Sequence, residues 1–176
     1  MIPIKSERDL RTMRKSCEIA ANVLDEICRL VAPGVSTWDL DRAAKRIMEK
    51  YRCRSAEYKY KCGSLRYPGY VCISVNDQVI HGIGSKDRIL KDSDIVSFDC
   101  ATIYQGFVGD NTRTVFIGEP SPEVRRLVET TAEALRLGIE MARPGNRVGD
   151  ISAAIQGHVE SRGFGVVREF TGHGVG

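Results

Sequence analysis

Long apolar runs are missing from these 176 residues. The longest extend over a few positions, whereas a bilayer crossing needs roughly 20, so a transmembrane helix is excluded. The opening MIPIKSERDL also lacks the charged-then-apolar pattern of a secretory leader. A cytoplasmic protein without a membrane partner is expected. C-x-x-C pairs and clustered histidines are absent too: the cysteines at 17, 28, 53, 62, 72 and 100 are scattered, which excludes a zinc finger and a disulfide scaffold. They read as reduced thiols, mostly in the core. Charge of one sign is scarce, and a net +3 is too small to specify nucleic acid as a partner. Lys5, Arg8, Arg11, Arg14 and Lys15 do gather near the start against Glu7 and Asp9, and they read as a solvated helix face rather than an RNA-facing patch.

With 42% hydrophobic and 28% charged residues, the chain has the material for one good core, and a single domain over 1–176 is expected. Leu10, Met13, Cys17, Ala20, Leu24, Ile27 and Val31 recur at steps of three and four, predicting an amphipathic helix from about Ser6 that ends at Pro33-Gly34. Ser36 caps a second helix that packs Leu40, Ala43, Ile47 and Tyr51 and ends near Arg52. β-branched and aromatic residues dominate 70–83 and 94–118, so the middle third is sheet. Ser121-Pro122-Glu123 starts a third helix with Leu127, Thr131, Leu135 and Ile139 on one side, stopping at Pro144-Gly145.

Both Pro-Gly pairs follow a long helix and precede a similar stretch. At an offset of 111, Asp39-Leu40 falls on Asp150-Ile151, Ala43 on Ala154, Met48 on Val159 and Glu49 on Glu160. A duplicated α+β unit is therefore expected, with a first copy over about 5–118 and a second over about 121–176. A full second copy would end near residue 229 by the same offset, so about the last quarter of the duplicated domain is expected to be lacking.

DIVSFDCATIYQGFVGDNTRTVFIG reads as a hairpin turning at Gln105-Gly106. That register sets Asp99 against Thr112 and Asp110 against Ala101, and leaves the two aspartates as diagonal neighbours on one face, roughly 7 to 8 Å apart at the backbone. A slip by two would keep them together, because only parity matters. Asp99 interrupts Val96, Phe98, Cys100 and Ala101, a run expected to be buried, where a carboxylate needs a cation or hydrogen bonds. A divalent metal is the economical answer to two such carboxylates; the plainer alternative is a strand-end aspartate and another paired with Arg113. His81 closes the strand YVCISVNDQVIHG, where strand becomes loop, and suits proton transfer or metal binding. His173 follows the extended run VVREF between glycines that leave room for a ligand. His158 lies inside the last helix as an ordinary helix residue. The GHGVG run fits no phosphate-binding pattern.

The motifs YPGYVCISVNDQVIHGI, SFDCATIYQGFVGDNTRTVFIG and FTGHGVG, in that order, closely resemble type I methionine aminopeptidases over the whole chain. The paired strands with two aspartates are shared with the wider pita-bread metallopeptidases, while the segment from Tyr67 and Cys72 to His81 resembles the methionine-specific branch. With no zinc-finger extension before the first helix, the resemblance is to the bacterial or organellar form.

The resemblance implies a duplicated pita-bread fold, an antiparallel sheet backed by helices, and a two-metal site of five ligands. In it Asp99 would chelate one ion, Asp110 would bridge both and His173 would bind the other. His81 would contact the scissile peptide and transfer a proton, and Tyr67 and Cys72 would line the methionine pocket. The implied activity is removal of N-terminal methionine from peptides and new polypeptides by hydroxide bridging two divalent ions, with Co, Mn, Fe or Zn all acceptable to such a site. Two further family ligands, both glutamates of the second half, one of them also the general base, have no counterpart here, so the 176 residues alone are expected to be inactive. The alternative is a pita-bread binding module without catalysis, partnered with the ribosome through the basic first helix.

Overall fold

The computed structural model describes residues 4–175, with Cys62 described by its backbone alone. It divides into two compact units: the first runs to Glu119 and includes Gly174, and the second is Pro120–His173.

The first unit opens with helix α1 (Glu7–Cys28), capped by Ser6, whose hydroxyl accepts from the Asp9 amide while the Asp9 carboxylate bonds back to the Ser6 N–H. Its buried stripe is Ser16, Ile19, Ala20, Val23, Leu24 and Ile27. The expected stripe is rotated by part of a turn: Cys17 is exposed and Ser16 takes the buried position, its hydroxyl donating to the Phe107 carbonyl at 2.8 Å. Periodicity alone favours the thiol, but a serine that finds a carbonyl partner can be buried. Helix α2 (Thr37–Lys50) starts at Ser36 as expected and buries Leu40, Ala43, Ala44, Ile47 and Met48.

Two short strands not foreseen, β2 (Lys61–Cys62) and β3 (Leu65–Arg66), form a small separate ladder. The main sheet joins β1 (Arg54–Ser55), β4 (Cys72–Val75), β5 (Ile95–Tyr104) and β6 (Phe107–Phe116), all antiparallel, with β1 and β4 on one edge of β5 and β6 on the other. The strand expected over 70–83 shrinks to four residues, because Asn76 turns the chain with φ of 56°. One sheet face carries Ile73, Val75, Val96, Phe98 and Cys100 into a core shared with α1 and α2. Helix α1 lies so close that a Cβ on Gly109 would sit 2.5 Å from the Ser16 carbonyl oxygen, which only glycine permits.

The second unit is a pair of helices, α3 (Pro122–Met141) capped by Ser121 and α4 (Val148–Ser161). The expected α3 stripe is displaced here too. Thr130, Ala134 and Gly138 are buried, whereas Leu127, Leu135 and Ile139 are exposed, so much of the unit's apolar face is bare. No helix of the described residues is long and apolar enough to cross a membrane.

Candidate active site

The hairpin of β5 and β6 turns at Gln105 and Gly106, with φ of 49° and 87°. Two left-handed residues make the mirror-image turn whose twist matches paired strands, and a two-residue turn fixes register. Asp99 therefore opposes Thr112 and Asp110 opposes Ala101, as the turn predicts. Across the other edge Cys72 opposes Asp99. Directly opposed residues share a face, so Cys72, Asp99 and Thr112 form one row and Ala101 and Asp110 the next.

This face is the one turned away from α1 and α2. Asp99 does not interrupt a buried run, since β5 alternates and Val96, Phe98 and Cys100 point to the core while Ser97, Asp99 and Ala101 point the other way, half-buried. Its carboxylate accepts a hydrogen bond from Thr112 Oγ1 at 2.8 Å, one row neighbour holding the other. Arg113 lies on the core side and pairs with Asp25 of α1.

Tyr67 and Cys72 meet on the same side. Burial pushes the Cys72 thiol up to about 11, with the Tyr67 hydroxyl pulling it down and the carboxylates of Glu57, Asp99 and Asp110 pushing it further. It is a buried, uncharged thiol at neutral pH, suited to contact with a thioether rather than to nucleophilic attack. The Tyr67 hydroxyl donates to the Gly82 carbonyl at 2.6 Å. His81, adjacent, is exposed and has φ of 58°; it stands in a loop six residues beyond the end of β4, not at a strand terminus.

Glu57 was not singled out by the sequence. It follows β1 and fills the gap between β1 and β4 along the β5 edge: its Oε1 accepts the Ala101 N–H at 2.7 Å and its Oε2 accepts the Ser55 hydroxyl at 2.9 Å. Burial raises its carboxyl to about 7 against the pull of these hydrogen bonds, and the nearby Asp99 charge adds to the rise. The only hint in the sequence is the Ser-Ala-Glu spacing, which lets the Ser55 hydroxyl gather the Glu57 and Tyr58 amides.

His173 is the last residue of the second unit, and the run before it, 166–170, forms no strand. Among the described residues no three His, Cys, Asp or Glu side chains stand close enough to hold a metal ion. The hairpin aspartates nevertheless fit one chemically: two oxygen anions on adjacent strands repel each other and a divalent cation relieves this. They fit as two members of a ligand set, not as a cage.

The chain is similar throughout to known peptidases. The model of metallopeptidase family M24 matches residues 11–176. Methionine aminopeptidase of Aquifex aeolicus is 44% identical over 177 residues, covering 99% of this chain and 69% of the relative. The solved methionine aminopeptidase of Rickettsia prowazekii superimposes with a TM-score of 0.94 at 37% identity, over 99% of this chain and 68% of that one. Prolidase from Pyrococcus furiosus, 21% identical with a TM-score of 0.78, shares the fold alone. The chain thus spans about two thirds of the length of its methionine aminopeptidase relatives. These similarities support a metal-dependent peptidase of the pita-bread fold and lend nothing to a binding module without catalysis. With divalent metal chemistry implied by the match, the chain belongs to the methionine aminopeptidases of metallopeptidase family M24.

Proposed function

We propose that the outer face of the β4–β5–β6 sheet is the first half of a metallopeptidase centre that releases N-terminal methionine from peptides and new polypeptides in the cytoplasm. Asp99 and Asp110 serve as metal ligands, with His173 as a third, and two divalent ions from among Co, Mn, Fe and Zn occupy the complete set. When bound, such metal supplies Lewis acidity and a water-derived nucleophile at neutral pH. The observation that carries this reading is the register: Cys72 opposite Asp99, and Ala101 opposite Asp110, put a pocket thiol and both carboxylates on one surface.

The chain's own groups then divide the work. Thr112 orients the Asp99 carboxylate through one oxygen. Cys72 and Tyr67 present a soft, neutral wall to the methionine side chain, and the exposed His81 imidazole exchanges a proton with the scissile peptide. The matching helices at an offset of 111 support two repeats, about 5–118 and 121–176, within a single catalytic domain.

Replacing Asp110→Asn removes one charge of the pair. In a protein carrying the complete ligand set, manganese uptake measured by calorimetry, and methionine release from a Met-Ala peptide, are both expected to fall by at least about tenfold. Undiminished uptake and turnover in that variant would refute the ligand assignment. His81→Ala is expected to slow release while leaving manganese uptake intact; loss of the ion instead would move His81 into the coordination shell.

A further inference from the structure

His81 holds a backbone conformation that few non-glycine residues adopt: its φ of 58° lies in the left-handed region, while its side chain is exposed. The neighbouring Gly82 is gripped on every side. Its N–H donates to Ser74 Oγ at 3.1 Å, its carbonyl accepts from the Ile73 N–H at 2.8 Å and from the Tyr67 hydroxyl at 2.6 Å, and a Cβ there would fall 2.1 Å from the Ile73 carbonyl oxygen. The Tyr67 hydroxyl lies far above the usual phenol range, through burial first and the Cys72 thiol second, so it remains a donor at any working pH. The Gly82 clamp fixes the chain just after His81, and one jaw of it is a side chain of the methionine pocket.

We propose that Tyr67 is a positioning residue for His81: by bonding the Gly82 carbonyl it holds the loop in the left-handed turn that presents the imidazole, and so ties the pocket wall to the proton-transfer group. The proposal rests on the reading of His81 given above. Tyr67 then does two separable things, the ring lining the pocket and the hydroxyl setting the histidine.

Tyr67→Phe separates them, because it keeps the ring. Nuclear magnetic resonance of the full chain is expected to show the His81 Cα and Cβ shifts moving away from left-handed values, with core signals such as those of Phe98 unchanged. Ser74→Ala, which removes the other side-chain jaw, should move the same shifts. In turnover by a protein carrying the complete ligand set, kcat is expected to fall about tenfold, the worth of one buried hydrogen bond, with KM for a Met-Ala peptide within about twofold. Adding Tyr67→Phe to His81→Ala should slow the enzyme no further. A His81 that keeps its left-handed shifts in both variants overturns the proposal, as does a rise in KM at constant kcat or an additive double variant. If His81→Ala itself turns over normally, the proton-transfer reading has failed, and the His81 shifts still decide whether Tyr67 holds the loop.

Discussion

Each of the two units has a long helix followed by a Pro-Gly pair and a shorter helix, and the two long helices are buried differently. At an offset of 111, Leu24 of α1 corresponds to Leu135 of α3, and Leu40 of α2 to Ile151 of α4. Leu24 is 2% exposed beneath β5 and β6, while Leu135 is 58% exposed. In place of a sheet, α3 packs within its unit against α4 and against the segment 162–167, where Arg126 lies over the Phe164 ring, and α4 approaches so closely that a Cβ on Gly138 would lie 2.8 Å from Ile155 Cδ1. Amphipathic periodicity thus records which face a helix is built to bury, and burial records what is there to cover it. Among the described residues of the second unit nothing plays the part of β5 and β6.

The largest effect that tests this contrast is truncation of the paired leucines. Leu24→Ala is expected to cost about 3 kcal/mol, since it leaves a cavity among close-packed neighbours, and Leu135→Ala under about 0.5 kcal/mol. Urea midpoints of the two variants measure the difference. Equal losses would mean that Leu135 is covered in solution, and the contrast between the units would collapse.

Legibility in the sequence follows the same line. The helix caps at Ser6, Ser36 and Ser121 and the hairpin register were readable, because each is set by a few adjacent residues. The faces were less so. Cys17 and Ser16 are neighbours on a helix, and a carbonyl contributed by Phe107, 91 residues away, decided which is buried. The hairpin register puts Asp99 on the same face as Asp110, but its neighbours Val96, Phe98 and Cys100 suggest burial, whereas strand alternation sets it opposite to them. Asn76-Asp77 carries the turn after Val75, but Val79 and Ile80 just beyond it continue the apolar pattern of a strand. Glu57 has no periodic signal, since its importance comes from accepting the Ala101 amide on a strand 44 residues away.

Glu57 extends the comparison to charge. Its counterpart in kind, Glu133 of α3, is exposed and held below the usual carboxylate range by Arg136, whereas burial holds Glu57 above it. Between pH 4.5 and about 7 the folded state retains the Glu57 proton that the unfolded chain has released. Fewer protons on the unfolded state mean that stability falls as pH rises through this window, by on the order of 2 kcal/mol after allowing for partial exposure. Glu57→Gln should flatten that slope in denaturation curves taken from pH 4.5 to 7.5. Glu133→Gln should leave it in place, because a depressed carboxylate contributes with the opposite sign and titrates at lower pH. An unchanged slope in Glu57→Gln would show that the carboxyl is solvated.

The smallest expected effect is the sharpest, because it transplants one unit's device into the other. Ser36, at the start of α2, accepts the Asp39 amide at 3.1 Å; the position 111 residues on is Arg147, at the start of α4. Both helices place an aspartate three residues in, and Asp150 accepts the Arg147 N–H at 2.7 Å, so the returning half of the cap is already present. Arginine has no acceptor to supply the other half. Arg147→Ser would let a hydroxyl accept the Asp150 amide and complete the box, while removing a cation from the positive end of the helix dipole. Both changes stabilise α4, together by about 0.5 to 1 kcal/mol, read as slower amide exchange over 148–161 with no change in α2. The reverse substitution, Ser36→Arg, should cost more than this gain, because Ser36 is buried and an arginine cannot be accommodated there without loss of packing. If the gain and the loss proved equal, the caps would be local features indifferent to their surroundings, and the difference between the units would rest on the covering sheet alone.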